Sequence, residues 1–441
     1  QFFFFLLAEL ALALATFLLA AKEWQKQSQS AASLAETNRQ RLADLTDWQE
    51  VGTAGILVAP PVPAGRFLVS PQTWPAFLVS VPKLPSPMGF WGEEPGPAPA
   101  RVLLFFYSLF ALLLSFDAVG AEKAQRTLGL LLWAAGSRRR LLQVKFAVRA
   151  LAVVAAVWVS LLGATLGVSL GAPEFVREPS FFPTFFALAL FLGALCLVFV
   201  ALGFFISCLF PEPLPALLAG VGAWVLLVVV LPGLSLGLAR TLVPPPSRLL
   251  LEAQAAAAVT HNQQKYAQAI LEPMRRWLEK GPELQSWYEE ETARLRRELR
   301  AELEKELLAY FASFLRQEMA SLRAQAWASG LFPTALYQDG LEHWAGSHRE
   351  NFLQYVQAVT EYGQMLAQEV LRRQKSIQFV LPFEKDPYRI GRPQPELIPR
   401  FAFVPQRANL FSLLPRLTGL VLWALGFFAL ATIYFRKVDP R

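Results

Sequence analysis

Histidine and cysteine are nearly absent: three His and two Cys in 441 residues. Cys196 and Cys208 lie in one apolar run and are read as small packing residues, not as a disulfide or a metal pair. His343 and His348 share a stretch with Asp339, but a metal site needs more ligands at better spacing. No CxxC, HExxH or GxSxG pattern occurs. Isolated Ser and His make no triad, so enzymatic chemistry is not expected. A G-x-x-x-x-G-K-[ST] loop is missing too, which removes the usual backbone cradle for ATP. Neither cofactor nor metal is expected in the chain. A one-sided basic face is also lacking. Charges between 250 and 376 nearly cancel, and "RLRRELRAELEKEL" reads as a solvated helix face laced with i,i+4 pairs. That excludes a nucleic-acid surface.

Hydrocarbon is what the chain has in excess: 54% of its residues are hydrophobic. Six runs reach the length of a membrane span, at 2–21, 102–118, 147–170, 184–210, 214–239 and 411–435. The chain opens at Gln1, inside the first run and without Met, so a trimmed N-terminus is expected. The loop 118–149 carries Lys123, Arg126, Arg138, Arg139, Arg140, Lys145 and Arg149 against Glu122 alone. The tail holds Arg436, Lys437 and Arg441 against Asp439. Lys/Arg excess marks the cytoplasmic side, which places both termini and the segment 119–146 inside. Segments 22–101 and 240–410 then lie outside as two insertions. The expected fold is an all-α membrane protein of six spans with a mainly helical extracytoplasmic domain, in a bacterial inner membrane.

The first insertion should continue span 1 as a helix to about residue 50. A Pro/Gly-rich stretch follows, with short strands at Phe67–Ser70 and Ala76–Val81. In the second, Gly281-Pro282 should start a helix running to a Gly330 cap. Leu295, Leu299, Leu303, Leu307, Phe311, Phe314, Met319 and Leu322 recur along it at helical spacing. Another helix should cover 334–376. Within the spans, Glu9 is expected near the cytoplasmic interface beside a basic group, the alternative being a functional carboxylate facing protein or water. Pro232-Gly233 is expected to end span 5 early and start a re-entrant turn.

The segment "AEKAQRTLGLLLWAAGSRRRLLQVK", 121–145, is basic and amphipathic. Leu128, Leu131 and Leu132 make an apolar ridge, with Trp133 beside it. Gly136-Ser137 breaks the helix, and Arg138 to Lys145 lead into the next span. A lipid anchor would need only the charges. The order Glu122, Thr127-Leu128, Leu131-Leu132, Gly136-Ser137-Arg138, Lys145 resembles the cytoplasmic coupling segment of type-2 ABC transporter permeases. Arg126 stands where that family commonly has Gly, and Val144 where it often has Gly before Lys. "APPVPAGRFLVSPQTWPAFLVSV" and "DGLEHWAGSHRENFLQYVQAV" resemble recurring stretches of a subgroup with large outer insertions.

The resemblance implies a non-catalytic permease subunit that exports or extracts a substrate. Its partners would be two copies of a cytoplasmic ABC ATPase, which hold ATP and Mg, together with a second permease copy or a related permease, and membrane lipid. It also implies that the coupling helix sits in a groove on the ATPase, with Leu128, Leu131 and Leu132 as anchors and Arg138 to Arg140 at the membrane edge. Two other readings remain open. One is a mechanical transmitter acting on an envelope protein or lipid with nothing crossing. The other is a membrane sensor or scaffold.

Overall fold

The computed structural model describes residues 2–44, 55–69, 76–79, 86–88, 98–377, 398–404 and 410–437. Five of its helices are long and apolar enough to cross a membrane, and the shorter Pro99–Leu113 is apolar as well. Helix α1 (Phe2–Asp44) runs unbroken from the first span into the first insertion. Next come α2 (Ala64–Val69) and α3 (Pro99–Leu113), a 15-residue apolar helix that stands where the second span was expected at 102–118, ends five residues sooner, and is called span 2 below. Two short helices, α4 (Gly120–Ala124) and α5 (Leu128–Ala135), lead to α6 (Arg138–Gly171), the third span. A connector, α7 (Pro173–Arg177), precedes α8 (Phe181–Leu209), the fourth.

That fourth span is the hub. Phe181, Phe185, Phe191, Phe199 and Phe204 on it are fully buried, and its neighbours pack around them in one core. Its apolar surface runs all round, which suits a helix with neighbours on every side. Spans 1 and 3 run parallel and interlock. Leu10, Leu14 and Leu18 of α1 face Gly163, Gly167 and Gly171 of α6, and a Cβ on Gly163 or Gly167 would collide with its leucine. Small residues every fourth position let two helices approach this closely without a polar contact.

The fifth span departs from expectation. Helix α9 (Pro213–Val225) passes through a π-helical stretch, Leu226–Val230, into α10 (Leu231–Leu242). Pro232 does not end it. The Leu231 N–H bonds Leu226 O, five residues back, so the widened turn lies directly before the proline. Such a bulge relieves the clash and missing donor that proline brings to a regular helix.

Beyond the spans, the second insertion opens as a helical hairpin. Its arms are α11 (Arg248–Ala269) with α12 (Leu271–Lys280), and α13 (Gln285–Ser329). A 3-10 turn at Gly281–Leu284 joins them, so the long helix starts at Gln285 and not at Pro282. Its 45 residues span about 67 Å at 1.5 Å each. Asn262 Nδ2 donates to Leu299 O (2.7 Å), Lys265 pairs with Glu302 (2.6 Å), and Arg296 Nε donates to Tyr266 Oη (2.8 Å). Near the base, Ser321 Oγ donates to Val243 O (2.8 Å). At the tip, α12 leaves Leu271, Met274 and Leu278 exposed on one face.

The helix expected over 334–376 is two helices, α14 (Pro333–Trp344) and α15 (Arg349–Ile377). Gly346, at φ +67°, turns the chain between them. The first is a collar on the span bundle. Tyr337 Oη donates to Ala100 O (3.0 Å), Trp344 Nε1 to Pro183 O (2.9 Å), and Asp339 pairs with Arg416 (2.5 Å) of α16 (Leu410–Lys437), the sixth span.

The second carries a separate core, where Tyr355, Val359, Tyr362 and Leu366 meet Ile56, Val58, Phe77 and Val79. Those last four belong to a small antiparallel sheet, β1 (Ile56–Val58), β2 (Ala76–Val79) and β3 (Ser86–Met88), in the order β1-β2-β3. Asn38 on α1 completes its edge, accepting from Leu57 N (2.9 Å) and donating to Leu57 O. The two insertions thus share one core. The long helix reaches it through Phe311.

The stretch expected as a strand at Phe67–Ser70 is helical over Ala64–Val69, and Ser70 lies outside the described residues. Tertiary hydrogen bonds decide this: Glu178 accepts from Ala64 N (3.2 Å), and Ser180 Oγ from Gly65 N (2.8 Å). The strand expected at Ala76–Val81 is present as Ala76–Val79, its last two residues falling outside the described set.

Candidate functional site

Residues 114–149 form a compact knot at the foot of the second, third and fourth spans. Span 2 ends at Leu113, and a tight turn carries the chain past Asp117 into α4. Ser207 Oγ accepts from both Val119 N (2.8 Å) and Gly120 N (3.0 Å), pinning the start of α4 to span 4. Lys145 pairs with Glu122 and donates to Ala118 O (3.0 Å). Arg149 pairs with Asp117 (2.9 Å), donates to Leu114 O (2.8 Å) and lies over the Phe204 ring. Lys123 is partly buried, which pushes its amine pKa below the ordinary lysine range, and it donates to Cys208 O (3.4 Å). Every one of these links ties the segment to span 3 or span 4.

Between α4 and α5 the backbone turns sharply. Thr127 N donates to Glu122 O (3.0 Å), and Arg126 sits at φ +59°, the one non-glycine with positive φ among the described residues. A side chain there costs roughly 1–2 kcal/mol relative to glycine. The turn at Arg126 is thus one that glycine would make without strain. Val144, the other departure, is an exposed residue inside a regular helix, where no special backbone is required.

The Gly136-Ser137-Arg138 run is a pair of caps. Gly136, at φ +69°, ends α5 with its N–H on Leu132 O (3.2 Å). Ser137 starts α6, its Oγ accepting from Arg140 N (3.1 Å). Span 3 consequently begins at Arg138, nine residues before the apolar run suggested. Arg138 donates to Arg436 O (2.6 Å) at the C-terminal end of span 6, where a cation meets the negative end of the helix dipole.

The leucines correct the sequence reading. Leu128 is 2% exposed, and Leu131 and Leu132 pack with it against the span core. The three hold the segment to the bundle, Leu128 fully buried and Leu131 and Leu132 partly so. The outward apolar pair is Leu130 and Trp133, 72% and 87% exposed. Gln125, Arg126, Gly129, Ala134, Ser137, Arg139 and Arg140 flank them as exposed residues. Helical spacing groups Leu128, Leu131, Leu132 and Ala135 on one stripe, but it cannot say which stripe meets the bundle. Leu130 and Trp133, also three apart, were equally visible in the sequence.

Glu9 corrects a second expectation. It is 5% exposed inside the bundle, and neither carboxylate oxygen has a hydrogen-bond partner among the described residues. Asp339 is committed to Arg416, and the His343 and His348 rings lie 4.5 Å apart. No cluster of three or more His, Cys, Asp or Glu suited to a metal is found among the described residues. Burial, with smaller contributions from His343 and Arg416, lowers His348 to about 4. Burial also lowers Arg66, in the first insertion, to about 9.

No curated protein matches the chain. The family profile described as "ABC-2 family transporter protein" matches residues 2–440, the whole described structure. Six apolar helices, a helical knot between the second and third, and a match of this extent agree: the chain is a multi-pass membrane protein and belongs to the ABC-2 family of transporter proteins, as a membrane permease component.

Proposed function

We propose that this permease subunit works with a separate cytoplasmic ATPase, which binds ATP and Mg, and that segment 114–149 receives the ATPase's movement. The observation that carries the reading is the two-sidedness of the segment. Its inner side is fastened to spans 3 and 4 by Glu122–Lys145, Asp117–Arg149 and Ser207, and its outer side offers Leu130 and Trp133 in a basic rim. A docked partner that moved α5 would drag those spans. Apolar anchors supply most of the energy in such contacts, while rim charges guide association.

Lys/Arg distribution supports a cytoplasmic segment and cytoplasmic termini, with 22–101 and 240–410 outside. Two such subunits, or this chain with a related one, would pair with two ATPases in a bacterial inner membrane. Cysteines at Gly129 and Ala134 test the reading. Each should crosslink to the co-expressed ATPase with a yield that changes on nucleotide addition, and no crosslink from either site in an assembled complex would overturn it.

A second reading, mechanical transmission without translocation, is favoured by one feature. The hairpin, whose longer helix is about 67 Å, is bonded near its base to the end of span 5, through Ser321 and Val243, and carries an exposed apolar stripe at its far tip. An envelope protein or lipid would be its target. Export remains the reading of the core. Shortening the hairpin between residues 255 and 315 separates them, because it would abolish transmission to a tip-bound target and leave transport through the spans in place.

A further inference from the structure

Glu9 is the only acidic or basic residue in the hydrocarbon part of any span. The stretches 102–113, 150–171, 181–209, 213–239 and 417–435 contain no Lys, Arg, Asp or Glu. It lies about 20 Å along α1 from Lys22, well inside a hydrocarbon layer of about 30 Å. Its surroundings fix its direction. Leu10, the next residue, nests at Gly163 of span 3, and Phe5, one turn earlier, packs on Phe110 of span 2 at 5.2 Å. Glu9 faces inward, close enough to Tyr107 of span 2 and Cys196 of span 4 to act on both electrostatically.

The nearby donors are already committed. Ser160 Oγ donates to Ala156 O (2.7 Å), so the Tyr107 hydroxyl must be the donor in its 2.5 Å bond to Ser160 Oγ. Cys196 Sγ donates to Tyr107 O (3.7 Å), and Trp224 Nε1 donates to Ser108 Oγ (2.8 Å). Among the described residues no donor is left for the carboxylate, and neither of its oxygens has a hydrogen-bond partner. An ionised carboxylate without donors or a cation is not tolerated in such a medium. A metal cation needs several oxygen ligands, and Glu9 with one committed Tyr–Ser pair falls short of that number. A proton needs none.

From this geometry we infer that Glu9 is a proton-binding site inside the span bundle, occupied in the arrangement described here and emptied when span 1 moves away from Tyr107 toward water. The step balances simply: the carboxylic acid gives one proton to the water that reaches it and becomes a carboxylate, and it regains that proton when the spans close. The equilibrium between the two arrangements then depends on pH, with one proton per subunit. The inference stands apart from the ATPase reading and concerns this chain alone.

The test uses the full chain in lipid nanodiscs without partners. A hydrophobic carbodiimide, which adds to protonated carboxyls in apolar surroundings, should label Glu9 at neutral pH by peptide mass. Infrared spectra should show a protonated-carboxyl C=O band that Glu9→Gln removes. The Gln variant, a neutral near-isostere, should keep the wild-type melting temperature. The infrared result decides the matter even where the reagent fails to enter. Loss of an ionised-carboxylate band in Glu9→Gln, in place of the protonated band, would overturn the inference. Suppression of labelling by sodium but not by choline at fixed pH would overturn it as well, because it would make the site one for a metal cation.

Discussion

Replacing Trp133 with Ala separates an outward anchor from an inward one. Trp133 is 87% exposed, so nearly its whole side chain is free to be covered by a partner. A tryptophan buries about 150–250 Å², which at about 25 cal/mol per Å² gives roughly 4–6 kcal/mol of gross apolar burial. Truncations of central aromatic anchors usually lose less than that gross figure, about 2–4 kcal/mol. At about 1.4 kcal/mol per tenfold, the ATPase should bind the variant roughly 30- to 1000-fold more weakly. The variant's own melting temperature should not fall, because the removed ring touches little of this chain. Leu131→Ala should behave in the opposite way. It leaves a gap against the span core and lowers stability by a kcal/mol or more, with a smaller effect on affinity. Titration of detergent-solubilised permease with labelled ATPase, alongside thermal melts of both variants, measures the contrast. If Trp133→Ala binds within threefold of wild type while Leu131→Ala loses the partner, the outward face has been assigned to the wrong residues.

Arg126→Gly should stabilise the chain by about 0.5–1 kcal/mol, the relief of positive φ less the extra chain entropy of glycine; a lowered melting temperature would contradict the strain argument. Gly167→Leu should weaken the packing of spans 1 and 3 enough to lower expression and melting temperature, because its Cβ alone already collides with Leu14. His348 is lowered from 6.5 to about 4, so the unfolded chain binds more protons between those values, and the linked stability is complete above about pH 6.5 and is lost as pH falls toward 4. Melts of wild type and His348→Gln across pH 4–7 should show the pH slope shrinking in the variant, and equal slopes would remove His348 as the source. Since both native cysteines are buried, cysteines at Ser30 and Glu279 should react with an impermeant reagent on intact cells while one at Gln125 should not; external labelling of Gln125 would reverse the topology.

The spans were legible because a bilayer leaves the sequence little choice: apolar runs of that length have few other uses. Shorter features depended on partners that are distant in the chain. Phe67 to Val69 carry strand-like side chains, yet Glu178 and Ser180 accept the first N–H groups of a helix there. Pro232 carries a local helix-breaking signal, which the π turn upstream cancels. In segment 121–145 the residue types and their order were readable, including the helix break at Gly136-Ser137, while the cap roles of those two residues came from the structure. Which leucine stripe turns inward was set by spans 2 to 4 and could not be read from the segment itself. Glu9 was noticed for its charge, but its isolation required knowing that Tyr107 and Ser160 bond each other.

The leucines of span 1 in the glycine notches of span 3 make a detent. Notches four residues apart are about 6 Å apart along the helix, so the two rods cannot creep past one another by small amounts. Sliding by one notch would leave a leucine at one end with no recess. The pair must therefore travel as a single rod. Its lower end is the Ser137 cap beside the 114–149 knot, and its upper end is Asn38 at the edge of the sheet, so one interlocked rod joins the two places.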